Sequence, residues 1–164
     1  MDQRVSLITL GVADVERARD FYAALGWHGQ TVEQTVFFQA GGLAVVLWSR
    51  AALAADAGLP DAGVPDHGLP DDGARDDGAR AVAAGGVALA HNVRSAREVD
   101  ALVADWAGAG GAVVREPVRT VYGGYAGYVA DPDGHLWEIA YNPGFPLADD
   151  GSLTVPDLGP PTGG

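Results

Sequence analysis

The chain has 164 residues, enough for one domain or for two small halves that share a core. It has no cysteine, which excludes disulfides, thiolate metal ligands and cysteine nucleophiles, and no apolar stretch is long enough to cross a membrane. A formal net charge of −12 argues against nucleic acid and anionic membranes as partners. We expect a cytoplasmic protein, because the first residues lack the pattern of a signal peptide.

The first half of the chain predicts one strand, one helix and three further strands. Residues 5–12 are rich in valine, isoleucine and leucine, which is typical of a strand. Asp14 is a suitable helix cap, apolar residues then recur every three or four positions, and Gly26 is a suitable end. The three strand candidates that follow are residues 29–32, 34–40 and 43–49.

A degenerate five-residue repeat separates the two halves. Residues 56–80 contain seven Asp and two Arg, with a glycine in each unit and a proline in several. This composition disfavours helices and strands, so we predict a flexible insertion or linker over residues 51–84. A calcium-binding acidic loop is the functional alternative, although the spacing fits no EF-hand pattern.

The second half repeats the order of the first. A strand is predicted over residues 87–93, and Ser95 with Glu98 three residues later forms a capping box for the next helix. An offset of 81 residues takes Val12 to Val93. The three strand candidates that follow the helix are residues 112–121, 125–130 and 135–141.

We therefore predict an α+β fold built from two tandem βαβββ modules. The modules occupy residues 1–50 and 85–143, and residues 144–164 are expected to be a flexible C-terminal tail. Together they are expected to form a curved mixed sheet around a cavity, with the helices on its outer face. A ligand site is expected between the modules.

The run from Asp131 to Glu138 joins a tight turn to a strand that carries a carboxylate. Pro132 and Gly134 favour the turn. A glutamate among apolar strand residues is costly unless it is paired, hydrogen-bonded or bound to a metal. Three roles for Glu138 stay open: a structural acceptor for backbone or a tyrosine hydroxyl, a ligand-binding carboxylate, or a general base whose pKa is raised by apolar neighbours.

The chain resembles the vicinal oxygen chelate superfamily of glyoxalase I, bleomycin-resistance proteins, fosfomycin-resistance enzymes and extradiol dioxygenases. The resemblance rests on Val12-Ala13-Asp14, Phe21-Tyr22, Leu25-Gly26, Asp131-Pro132-Asp133-Gly134 and Glu138. Metal-dependent relatives hold one divalent ion through four strand positions occupied by His, Glu or Gln. The resemblance places Leu7, Val46, Ala88 and Glu138 at these positions, so only Glu138 matches a family metal ligand.

This resemblance implies a homodimer that binds a small, partly aromatic organic molecule without a metal or other cofactor, as in sequestration or resistance. The alternative is a lyase or dioxygenase of the glyoxalase or extradiol type, acting through Zn, Ni, Fe or Mn or through Glu138 as general base. A regulatory module recognised through its acidic loop is a third hypothesis. The expected ligand-binding residues are Leu7, Thr9, Val46, Trp48, Asn92, Tyr122, Tyr125, Leu136 and Glu138.

Overall fold

A computed structural model of the protein describes residues 1–61 and 86–157. The first module consists of β1 (Leu7–Val12), α1 (Val15–Ala24), β2 (Gly29–Val32), β3 (Thr35–Ala40) and β4 (Leu43–Ser49), followed by the short helix α2 (Arg50–Asp56). The second consists of β5 (Leu89–Val93), α3 (Ala96–Gly108), β6 (Ala112–Arg119), β7 (Tyr125–Ala130) and β8 (Leu136–Tyr141). Within the described ranges, no helix is long and apolar enough to cross a membrane.

Each module forms its own four-stranded mixed sheet. The strand orders are β1-β4-β3-β2 and β5-β8-β7-β6, and in each sheet the first strand lies parallel to the last strand of its module. Thr9 lies opposite Val46 in one sheet, and Ala90 lies opposite Glu138 in the other. The predicted α+β class and the tandem βαβββ modules are confirmed. The sheet itself differs from the expectation, because two unclosed sheets replace one curved sheet.

Both long helices begin at the predicted caps. The Asp14 carboxylate accepts hydrogen bonds from the backbone N–H groups of Glu16 and Arg17, each at 3.0 Å. The Ser95 hydroxyl accepts from the backbone N–H of Glu98 at 3.3 Å. These bonds satisfy donors that the first helical turn leaves without a partner, which explains why the helices start there.

One hydrophobic core joins the two modules. The side of each sheet that packs on its helix contributes to this core, and aromatic rings from both modules meet in it. Tyr22 of α1 lies 6.1 Å from Trp137 of β8, and Phe21 of α1 lies 5.2 Å from Trp106 of α3, measured between ring centroids. The opposite side of each sheet therefore faces away from the shared core.

Two segments have more structure than the sequence predicts. Helix α2 occupies the start of the predicted insertion, while residues 62–84 of that segment lie outside the described residues. The predicted flexible tail includes an antiparallel bridge between Leu147 and Leu153. The guanidinium of Arg94 donates to the backbone carbonyls of Leu147 at 3.1 Å and Ala148 at 2.6 Å, which ties this segment to the start of α3. Residues 158–164 lie outside the described part of the chain.

Candidate ligand-binding site on the open sheet faces

Each sheet has a side turned away from α1 and α3, which we call its open face. On the first sheet α2 covers part of this side, because α2 packs on β1 and β4 and the side chain of Leu53 lies against Gly11. On the first sheet, Thr9 pairs with Val46 and Val46 pairs with Phe37, so these three side chains form a row across β1, β4 and β3. Val46 is buried, but Phe37 remains 38% exposed, and Leu7 at the end of β1 is 45% exposed. This open face is mainly apolar.

The open face of the second sheet carries a polar row in the corresponding place. The register pairs Ala90 of β5 with Glu138 of β8, Glu138 with Tyr128 of β7, and Tyr128 with Arg115 of β6. Directly paired residues on neighbouring strands project to the same side of a sheet. Glu138, Tyr128 and Arg115 therefore lie side by side on one face.

The Glu138 carboxylate is half-buried and is held by the tyrosine beside it. The hydroxyl of Tyr128 donates a hydrogen bond to Oε1 of Glu138 at 3.2 Å, and the guanidinium carbon of Arg115 lies 5.6 Å from the centroid of the Tyr128 ring. Partial burial, together with the charge and hydrogen bond of Glu138, raises the pKa of Tyr128, while Arg115 opposes that shift. The hydroxyl therefore remains a proton donor at neutral pH.

Most of the predicted site residues lie on the open faces, in two groups. Strand alternation and register place Leu7, Thr9, Val46 and Trp48 on the first sheet and Asn92, Leu136 and Glu138 on the second. Tyr125 lies on the opposite side, toward α3, because its hydroxyl donates to Asp100 at 2.8 Å. Tyr122 lies in the turn between β6 and β7 and is 87% exposed. Neither tyrosine shares the face of Glu138.

Sequence reasoning missed Tyr128 and Arg115. The turn between β7 and β8 contained the signal, since the backbone N–H of Asp131 bonds to the carbonyl of His135 at 3.1 Å and closes the hairpin. Tyr128 lies three residues before Asp131 and Glu138 lies three residues after His135, so an antiparallel hairpin closed by Asp131 and His135 pairs Tyr128 with Glu138, as the observed register shows. Arg115 could not be found in this way, because irregularities in the β6–β7 pairing flank it.

The metal site of the family does not fit the residues present. Leu7, Val46 and Ala88 have aliphatic side chains at three of the four positions that the resemblance assigns to ligands. Divalent ions in protein sites are held by about three or more nitrogen, oxygen or sulfur ligands. In the described part of the chain, no three His, Cys, Asp or Glu side chains come together as a metal site. Glu138 alone cannot form one.

The Asp131 carboxylate links the two modules. Its Oδ2 accepts from the hydroxyl of Tyr22 in α1 at 2.8 Å and lies 2.8 Å from Nδ1 of His135. Its Oδ1 accepts from the backbone N–H groups of Asp133 and His135, both at 2.9 Å. Burial opposes ionisation, but the hydrogen bonds and charge of His135 and the bond from Tyr22 outweigh it and lower the pKa of Asp131. His135 therefore braces the turn.

Asp133 extends this junction to the start of α1. Its Oδ1 accepts from the backbone N–H of Ala13 at 2.8 Å and from the guanidinium of Arg17 at 2.9 Å. Its Oδ2 is buried without a hydrogen-bond partner among the described residues. Both acidic residues of the 131–134 turn thus bond to the first module, so this family motif joins the modules as well as starting β8.

A cavity of about 330 Å³ lies on the helix side of the first sheet, away from both open faces. It is lined by the start of α1 and by residues 31–34, and it includes Asp14 and Arg19. The carboxylate of Asp14 already caps α1, and the guanidinium of Arg19 bonds to Asp20 at 2.8 Å. Asp14 and Arg19 therefore already have partners within the protein, and we take the open faces, which carry Glu138, as the candidate ligand site.

Comparisons with known proteins agree with this architecture. The model of the Glyoxalase/Bleomycin resistance protein/Dioxygenase superfamily matches residues 4–139. A glyoxalase-related enzyme from Fulvimarina pelagi is 36% identical over 93% of this chain and 97% of its own, with a TM-score of 0.74. A hypothetical protein from S. aureus is 27% identical over 86% of this chain and 94% of its own, with a TM-score of 0.63. Comparison with curated proteins gives no match.

The fold also resembles that of a lactoylglutathione lyase from Agrobacterium tumefaciens. That protein is 22% identical over 85% of this chain and 94% of its own, with a TM-score of 0.56, and the likeness concerns the fold alone. The family match over residues 4–139 covers both βαβββ modules, ending within β8, and includes the 131–134 turn between β7 and β8. The chain belongs to the Glyoxalase/Bleomycin resistance protein/Dioxygenase superfamily.

Proposed function

We propose that this chain is a cytoplasmic, metal-independent member of the superfamily that binds and sequesters a small, partly aromatic organic molecule. The observation that carries the proposal is the chemistry of the four family ligand positions, where Glu138 stands with Leu7, Val46 and Ala88. A lone carboxylate on a largely apolar face is suited to orient an organic ligand through one polar contact. Pockets for small molecules usually combine apolar walls with a few polar groups.

The exposed apolar side chains support this proposal. Leu7, Phe37 and Val118 are 45%, 38% and 43% exposed. Leu7 and Phe37 belong to the first open face, and Val118 belongs to the second because it pairs with Ala126. Exposed apolar side chains on these faces are suited to contact an apolar ligand or a partner surface.

We also propose that a second copy of the chain covers these open faces and completes the cavity. Matched substitutions test the homodimer. Phe37→Glu should convert the dimer to a monomer in size-exclusion chromatography with light scattering, because it adds a charge to the open face. Val121→Glu is the control, since Val121 is 94% exposed in the turn after β6 and the same charge there should leave the dimer intact. A wild-type protein that is monomeric at about 50 µM would contradict this part of the proposal.

Metal analysis of protein purified without chelator or affinity tag tests metal independence. We expect less than one Zn, Ni, Fe or Mn ion per ten chains, and a melting temperature that chelator does not change. Nearly one bound metal ion per chain would overturn the proposal and favour the alternative of a lyase or dioxygenase. Loss of a catalysed reaction in Glu138→Gln, with folding and ligand binding intact, would favour Glu138 as general base.

A further inference from the structure

Among the described residues, two opposite charges on the second open face have no charged partner. Arg115 on β6 and Glu138 on β8 flank Tyr128 on β7, all in one row. In the described part of the chain, neither Arg115 nor Glu138 forms an ion pair, and the only hydrogen bond of the Glu138 carboxylate comes from the Tyr128 hydroxyl. Oε2 of Glu138 and the guanidinium donors of Arg115 are therefore available to a ligand.

Two buried carboxylates elsewhere in the protein do have charged partners. Asp131 is paired with His135 at 2.8 Å, and Asp133 is paired with Arg17 at 2.9 Å. Removing a charge from water is unfavourable unless a partner replaces the lost hydration. A half-buried carboxylate left without a cation, on the face proposed to bind a ligand, is consistent with a cationic group arriving from outside the chain.

The register gives the separation of the two residues across the sheet. Adjacent strands lie about 4.8 Å apart, so the backbones at Arg115 and Glu138 are separated by about 10 Å. The guanidinium lies over the ring of Tyr128 and the carboxylate lies at its hydroxyl, so the two charges are at different places along one tyrosine side chain. A molecule that reaches both would extend across that ring.

We infer that the ligand is a zwitterion with a flat apolar body. Its carboxylate, or a similar anionic group, is bound by Arg115, whose planar guanidinium can give two parallel hydrogen bonds. Its protonated amine is bound by Glu138, which Tyr128 holds in place. This inference rests on the proposed function, because it assigns a ligand class to the same open faces.

Four matched phenyl compounds test the inference by titration calorimetry. The probes are 4-(aminomethyl)benzoate, which has both charges, 4-methylbenzoate, 4-methylbenzylamine and the uncharged 4-methylbenzyl alcohol. We expect the zwitterion to bind with a Kd at least tenfold lower than any of the others. Arg115→Gln should remove its advantage over the amine, and Glu138→Gln should remove its advantage over the carboxylate.

Charge-neutralising controls are available close by. Arg119→Gln and Glu116→Gln remove the same kinds of charge from β6, but the charges of both residues act on Tyr125, which faces α3. Both controls should leave the order of the four Kd values unchanged. Circular dichroism and thermal melting of all four variants establish that they are folded.

The outcomes separate the ligand class from the function. Equal Kd values for all four probes, or a zwitterion preference that survives both Arg115→Gln and Glu138→Gln, would overturn the ligand class and leave small-molecule binding intact. Tighter binding of either singly charged probe than of the zwitterion would also overturn it. If none of the four binds to the folded wild-type protein at millimolar concentration, the ligand class is overturned, while the proposed function is tested separately by the metal analysis and the dimer variants.

Discussion

Replacement of Tyr22 by phenylalanine tests whether the 131–134 turn joins the two modules. The Tyr22 hydroxyl donates to Oδ2 of Asp131 at 2.8 Å and accepts from the indole nitrogen of Trp137 at 3.2 Å. The Tyr22 side chain is only 1% exposed, so water cannot replace either bond. The same burial, aided by the charge of Asp131, raises the pKa of Tyr22 well above its usual value, so the hydroxyl stays protonated throughout neutral pH.

The magnitude follows from these two bonds. A hydrogen bond to a charged group contributes about 1.5–3 kcal/mol, and leaving a buried donor without a partner costs about 1–3 kcal/mol. Asp131 keeps His135 and two backbone donors, which limits the loss on its side. We therefore expect Tyr22→Phe to lower the free energy of unfolding by about 3 kcal/mol, or the melting temperature by about 6–12 °C.

Tyr125→Phe is the matched control. Its hydroxyl also donates to a carboxylate at 2.8 Å, that of Asp100, but the contact is solvent-exposed. Its loss should therefore cost at most about 1 kcal/mol. Urea unfolding at pH 7, followed by tryptophan fluorescence, measures both variants. Equal losses of stability in the two variants would refute the argument that burial makes the junction strong.

Three further predictions concern the junction, a close contact and the C-terminal segment. Burial acts to lower the pKa of His135, but the hydrogen bond and charge of Asp131 outweigh burial and raise that pKa. The pair of His135 and Asp131 therefore stabilises the fold fully below about pH 6.5, and this stabilisation is lost as pH rises through the raised pKa of His135. The urea midpoint should therefore fall more between pH 6 and 9 in wild type than in His135→Gln, and equal slopes would contradict this. Gly111→Ala should lower the free energy of unfolding by about 2 kcal/mol or more, because its methyl group would overlap a neighbouring indole and lie 2.8 Å from a carbonyl oxygen. The methyl group of Gly108→Ala meets nothing within 4 Å, so this variant should raise the free energy of unfolding by up to about 1 kcal/mol, measured by the same urea unfolding. Arg94→Gln should speed chymotrypsin cleavage of the C-terminal segment about tenfold, since three backbone carbonyls lose their bonds to the guanidinium, and an unchanged rate would argue against this tether.

Local patterns explain why the fold could be predicted from the sequence. Helix α1 begins after Asp14 as predicted, and Gly26 follows it with a φ of +87°, which glycine adopts readily. The internal repeat predicted the same order of elements in both modules, and the structure adds that the first and last strands pair in equivalent ways, Thr9 with Val46 and Ala90 with Glu138. Hydrophobic periodicity and helix caps are properties of short segments, and both long helices start where these patterns predict.

The site was harder to predict because it depends on register between strands. Tyr125 and Tyr128 differ by an odd number of positions, so a regular strand places them on opposite faces, and only Tyr128 reaches Glu138. Arg115 lies between register shifts in β6, which no alternation pattern locates. The contacts of Asp133 with α1 join residues more than a hundred positions apart, and no short motif encodes such a distance.

The distribution of the four tryptophans makes the protein its own spectroscopic probe. Trp27 and Trp106 each lie 5.7 Å from Trp137, and these three indoles come from both modules. Near-ultraviolet circular dichroism depends on such fixed packing, so this signal will report whether the modules are docked. Trp48 is the fourth, on the open face of β4 beside Val46 and outside this cluster. Trp48 therefore senses the open face of the first sheet, whereas the near-ultraviolet circular dichroism band senses the docked core.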